Sequence, residues 1–173
     1  MGGINKGLLE LCGKTFVEIL MDEFSSLGRV YIVGKKKEFL DFGAEVYDDL
    51  IEGKGPLSGL LTALVFSHED WILLLPCDMP LLKKELAFLL MDAAMLTSSE
   101  AAALFTDRVT PVPGLFQRGL KERVKRRLEE GRLSMTDFIL SVKSVLVHGE
   151  GFENLKTVNS IKDYEKLAGS VDC

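Results

Sequence analysis

An aspartate that closes an apolar run is the residue here best placed to do chemistry. Asp78 ends "WILLLPCD" (71–78), a run so nearly apolar that it reads as a strand buried on both faces. In open α/β sheets the ligand crevice lies outside the carboxyl ends of the strands. A carboxylate on a stiff strand end is placed there to hold Mg²⁺, which takes oxygen ligands, often one or two carboxylates with waters and phosphates. The competing reading, a cap for a helix beginning near Lys83, puts the aspartate too early. Lys6 is the second candidate. Its ammonium is a compact charge on a flexible stem, suited to a triphosphate; the alternative is an ordinary exposed lysine. The glycines of "GKGPLSG" (53–59) allow backbone to approach a ligand closely, and Gly55-Pro56 also suits a plain loop-to-helix start, with proline in the first turn.

One apparent motif is set aside. "GKT" (13–15) ends like a Walker phosphate loop, but five residues, Leu8 to Cys12, separate Gly7 from Gly13, one more than the loop has. No buried strand precedes it, as a phosphate loop requires. Thr15 with Glu18 reads instead as a capping box opening a helix. His68 and His148 lack partners at useful spacing and read as structural or surface residues.

The elements that must position these groups alternate. Short strands are predicted at 30–34, 44–49, 71–78, 101–105 and 144–148, and helices at 15–27, 57–68, 83–97, 117–130, 134–142 and 160–168. The stretch 106–116 holds Pro111, Pro113 and Gly114, so it cannot be one long helix, and antiparallel interruptions are expected near it. Alternation of this kind predicts a three-layer α/β domain with a mostly parallel sheet. The length of 173 residues suffices for one compact core. A net charge of −5 argues against a general nucleic-acid binder, without excluding a local basic pocket. No apolar run reaches the ~18 residues of a transmembrane helix. "LKERVKRRLEEG" (120–131) reads as a solvated helix face. Cys12, Cys77 and Cys173 form neither a metal spacing nor a disulfide framework, which favours a reducing cytoplasm.

Several stretches, taken together and in order, resemble one family. "MGGINKGLLELCGKT" (1–15) is similar to the second half of the signature loop of molybdenum cofactor guanylyltransferases and related MobA-like nucleotidyltransferases. "GPLSG" (55–59), "PCDMPL" (76–81) and "TVNSIKDYEKL" (157–167) resemble three further motifs of that family, and "EEGRLSMTDFI" (129–139) a segment on its pterin side. The last motif carries Thr157 where the family has its first asparagine.

The resemblance implies a Rossmann-like fold of the nucleotide-diphospho-sugar transferase type. It implies transfer of GMP from GTP to molybdenum-bound molybdopterin, with release of pyrophosphate and dependence on Mg²⁺. Carried onto this sequence, it implies Asp78 and Lys6 as catalytic residues and Asp78 as the metal ligand. Gly2, Gly3, Lys6, Asp49, Gly55, Pro56, Leu57 and Asp78 would then bind the nucleotide, with Asp48 competing for the role of Asp49. Asn159 and Arg132 would face the pterin. A capping role for Asp49 stays open, as does one for Ser160 beside Asn159. No general base is needed, because the attacking phosphate monoester, with a second pKa of ~6, is largely dianionic.

Implied partners are GTP, molybdopterin and proteins of molybdoenzyme maturation, with no nucleic acid and no membrane. The family begins with a central strand running into Leu-Ala-Gly-Gly, so the expectation is a single domain over 1–173 that lacks this strand from the middle of its sheet. Alternatives within the class are transfer of another nucleotide, such as CTP to the same pterin, or transfer to a sugar phosphate. A truncated, non-catalytic paralogue is the alternative outside it.

Overall fold

The computed structural model describes residues 5–148 and 155–171. The chain opens with a hairpin, β1 (Glu10–Leu11) and β2 (Lys14–Thr15), paired antiparallel. Cys12 and Gly13 form its two-residue turn, both with positive φ (52° and 77°), as a right-twisting hairpin requires. The "GKT" stretch is therefore a turn and a cap. Thr15 accepts from the Glu18 N–H while Glu18 accepts from the Thr15 N–H, a complete capping box at the start of α1 (Phe16–Phe24).

Two strands follow, β3 (Tyr31–Val33) and β4 (Glu45–Tyr47), paired parallel. Helix α2 (Pro56–Phe66) returns the chain to β5 (Trp71–Leu74) and packs against both β3 and β5. After α3 (Glu85–Thr97) come β6 (Ala101–Phe105) and β7 (Val109–Gln117), then α4 (Lys121–Glu129), α5 (Met135–Ser141), β8 (Ser144–His148) and α6 (Ile161–Ala168). The four-stranded sheet has the order β5-β7-β6-β8. β7 is antiparallel to both neighbours and β6 is parallel to β8, so three strands share a direction and β7 is the interruption. The β3–β4 pair forms a separate sheet.

The layers follow from strand periodicity, since alternate side chains point to opposite faces. Ala101, Ala103 and Phe116 pack with Leu57, Leu64, Val124, Phe138 and Ile139 of α2, α4 and α5. Ala102, Leu104 and Leu115 pack on the other face with Leu20, Leu86 and Leu90 of α1 and α3. The small side chains of β6 let helices approach the central strand from both sides.

Several expected boundaries shift. The ladder of β5 stops at Leu74, because Pro76 has no N–H to donate. All four of its residues are only half-buried, not sealed on both faces, since β5 is paired along one edge alone among the described residues. The helix expected from 117 begins at Lys121 because Gln117 still belongs to β7. β7 tolerates its prolines because the register jumps there: Ala103 pairs with Gly114, but Leu104 pairs with Thr110. Residues 111–113 bulge out of the ladder, where no N–H is needed. Gly114 is required at the end of that bulge, since a Cβ there would lie 2.3 Å from the Pro111 carbonyl oxygen.

The cysteines also depart from expectation. Cys12 is disulfide-bonded and Cys77 is a free thiol. Scattered cysteines carry no spacing signature, and which sulfurs meet is decided by the fold, so they supply no argument for a reducing compartment. Among the described residues no helix is long and apolar enough to cross a membrane.

Candidate functional site

The site is built from three segments that meet beyond the end of β5. The first is the turn at Lys6–Leu8. Asn5 caps it, its Oδ1 accepting from the Gly7 N–H at 3.1 Å and its Nδ2 donating to Glu38 Oε2 at 2.5 Å. Gly7 is packed so closely that a Cβ would lie 2.8 Å from Val17 Cγ2 and 3.4 Å from Cys77 Cβ. Only glycine lets the turn sit between α1 and the segment after β5, and this fixes the backbone from which Lys6 projects.

The second segment is the turn holding Asp78. The third is the approach to α6. The Val158 N–H donates to the Asp78 carbonyl oxygen at 2.9 Å, and the Val158 side chain is buried with Leu11, Phe16 and Leu167. Asn159 is therefore carried to the side of Asp78 by main chain and core together. A second capping box anchors it from behind: Ser160 caps α6, and Asp163 Oδ2 accepts from the backbone N–H groups of Asn159 and Ser160. The Ser160 hydroxyl, foremost, holds the Asp163 carboxyl below the ordinary aspartate range, and these two N–H groups add to it.

The three segments converge on one cation. Lys6 Nζ donates to Asp78 Oδ2 at 3.0 Å and to Asn159 Oδ1 at 2.6 Å. A carboxylate and an amide oxygen thus already point at one positive charge. Two oxygen donors with a single negative charge fit Mg²⁺, which completes its shell with waters and phosphates. Among the described residues no group of three or more His, Cys, Asp or Glu could hold a metal. Loss of solvation raises the Cys77 thiol above its ordinary range and the Asp78 charge adds to this.

The other predicted residues are distributed differently. Asp49 Oδ1 accepts from Ser58 Oγ at 2.5 Å and from Thr62 Oγ1 at 3.1 Å, and both hydroxyls belong to fully buried residues of α2. That geometry makes Asp49 a brace between the loop after β4 and the helix. Its competitor Asp48 accepts from the Lys36 N–H. Gly55 has φ +71° and precedes α2, with Pro56 at its first position, so glycine is needed there for the backbone alone. Leu57 is fully buried, which leaves only its main chain for a ligand. Arg132 is exposed and faces Glu130 at 3.6 Å. Gly2 and Gly3 lie outside the described residues. Glu38 and Val158 were not singled out in the sequence. Nothing local marks Glu38 as the partner of Asn5, whereas the alternation in "TVNS" (157–160) does place Val158 inward and Asn159 outward.

The chain has known relatives. Residues 1–143 match the MobA-like NTP transferase domain. A molybdenum cofactor guanylyltransferase of Shewanella sp. (strain MR-4) is 33% identical, over 76% of this chain and 69% of its own length. One of Histophilus somni (strain 2336) is 30% identical, over 96% of this chain and 90% of its own. Among solved structures, molybdopterin-guanine dinucleotide biosynthesis protein A from Archaeoglobus fulgidus superposes with a TM-score of 0.81 at 20% identity, over 96% of this chain and 90% of that one. With a family match that spans most of its length, the chain belongs to the MobA-like NTP transferases.

Proposed function

We propose that the chain transfers GMP from GTP to the terminal phosphate of molybdenum-bound molybdopterin, releasing pyrophosphate, with Mg²⁺ as the metal. The observation that carries this reading is the convergence of Lys6, Asp78 and Asn159 on one cation position, in a chain whose relatives are named molybdenum cofactor guanylyltransferases. When bound, a divalent metal neutralises negative charge that shields the α-phosphorus. Asp78 and Asn159 would hold it. Lys6 would follow the charge as it shifts to the leaving pyrophosphate. The main chain of Gly55, Pro56 and Leu57 would approach the nucleotide, and Asp49 would fix that loop. Arg132 would serve the pterin side. The acceptor brings its own charged nucleophile, so positioning and electrostatics supply the rate and no side-chain base is required.

The test is pyrophosphate release from GTP and from CTP, each with molybdenum-loaded molybdopterin and Mg²⁺, with the product identified by mass. Acceptor-dependent release from GTP is expected. Preferential use of CTP would replace the base assignment. Release that does not depend on the pterin would overturn the acceptor.

A further inference from the structure

Lys6 presents a difficulty that the proposed chemistry does not resolve. Its ammonium occupies the point to which the two candidate metal ligands are directed, 3.0 Å from Asp78 Oδ2 and 2.6 Å from Asn159 Oδ1. A divalent cation cannot take these oxygens while a positive charge remains within hydrogen-bond distance of both, because like charges that close repel strongly. The surrounding structure does not depend on the lysine. Val158 is bonded to the Asp78 main chain, and the Ser160–Asp163 capping box holds the Asn159 backbone. The turn under Lys6 is packed through Gly7 against Val17 and Cys77. What remains free to move is the lysine stem, whose side chain is 27% exposed.

We infer that Lys6 is a placeholder cation. In the nucleotide-free protein it neutralises Asp78 and competes with free metal for the Asp78–Asn159 position, and it yields that position when a triphosphate offers it a stronger anionic partner. This inference rests on the proposed nucleotide and metal reading and deepens it. The lysine keeps the carboxylate from binding a metal ion without substrate, and it makes the affinities for metal and nucleotide interdependent. By linkage, whatever the triphosphate does for the metal, the metal does equally for the triphosphate.

The experiment titrates Mn²⁺ by electron paramagnetic resonance into the full chain, without nucleotide and then with GTP. The proteins are wild type, Lys6→Met, Lys6→Arg, Asp78→Asn and the Lys6→Met/Asp78→Asn pair. Without nucleotide, Lys6→Met is expected to bind Mn²⁺ at least about tenfold more tightly than wild type, the scale on which removing one close like charge acts. Lys6→Arg, which keeps the charge, is expected to stay weak. The double variant is expected to lose the gain, which ties it to Asp78. GTP is expected to tighten Mn²⁺ binding in wild type by a larger factor than in Lys6→Met.

Equal or weaker nucleotide-free binding by Lys6→Met, in a protein whose Asp78→Asn variant still loses Mn²⁺, would overturn the placeholder role and leave the metal site standing. Mn²⁺ binding that Asp78→Asn leaves unchanged in every background, with or without GTP, would overturn the metal reading itself and the inference with it. Lys6→Arg guards against misfolding: a gain in both Lys6 variants alike would come from a disturbed turn and would also overturn the charge argument.

Discussion

Replacing Asp78 by asparagine separates its chemical role from its structural one. The variant keeps the size of the side chain and removes its charge. For folding, the loss is one ion pair, Lys6 Nζ to Asp78 Oδ2 at 3.0 Å, between side chains 27% and 19% exposed. A partly buried pair of this kind contributes about 1 kcal/mol, the upper end of the range for exposed pairs. The bond from the Val158 N–H is made to the main chain of Asp78 and survives, so the approach to α6 stays docked. In a chain of 173 residues, a loss of about 1 kcal/mol lowers Tm by about 2–4 °C. For turnover, the loss is the one anionic oxygen at the cation position. Removing a single preorganised electrostatic partner costs on the order of 10²–10³ in rate, about 2.7–4 kcal/mol. The assay pairs pyrophosphate release under saturating GTP and Mg²⁺ with a thermal melt of the same preparation. Retention of more than about a tenth of the activity, under ~1.4 kcal/mol, refutes the metal role. A Tm loss well beyond about 4 °C would show that Asp78 is mainly structural and that the main-chain argument is wrong.

The other predictions concern neighbouring residues. Lys6→Ala is expected to weaken GTP binding more than GMP binding in calorimetric titrations; equal weakening would remove its role at the polyphosphate. Asp49→Ala is expected to lower urea-unfolding stability by about 0.5–1.5 kcal/mol, the net worth of a hydrogen bond, as the Ser58 and Thr62 hydroxyls lose a shared acceptor but keep the Ile51 and Ser58 carbonyl oxygens; a variant of unchanged stability but poor nucleotide affinity would make Asp49 a ligand contact instead of a brace. Gly114→Ala is expected to cost about 1–3 kcal/mol in the same assay, because the added carbon meets the Pro111 carbonyl. The depressed pKa of Asp163 fixes the sign of an acid effect. Its contribution to stability is fully present above the ordinary aspartate value of ~3.9 and is lost as pH falls through the lower folded value. Hydrogen exchange in α6 is expected to quicken over that acid range, and in Asp163→Asn to show no such transition.

Local chemistry made much of this protein legible in advance. Thr15 with Glu18, and Ser160 before α6, mark helix starts because a capping box satisfies orphan N–H groups with residues three apart. The apolar run of "WILLLPCD" marks a strand, but the pattern extends it to Asp78 with Pro80 as the stop, whereas the ladder ends at Leu74. Asp78 could be nominated by its place past a strand end, whereas Lys6 was nominated by its match to the family loop. Asn159 followed from the family motif alone.

The assembly was not legible in the same way. That Lys6 meets both Asp78 and Asn159, across separations of 72 and 153 residues, depends on a glycine packed against two elements and on one backbone bond from Val158. Neither contact leaves a mark in the local pattern. The same holds for Asp49, whose sequence context suits a ligand contact as well as a brace, until two buried hydroxyls on α2 take up its oxygen. The β7 strand was hidden because its prolines forbid a continuous ladder, and only the register jump against β6 shows how a strand accommodates them. The sequence by itself determined most of the helices, several strands and which kinds of side chain could handle phosphate and metal, because those follow from neighbours a few residues apart. Which of these side chains share a cation, and which merely hold the scaffold, was decided by long-range packing, where distance along the chain carries no information about distance in space.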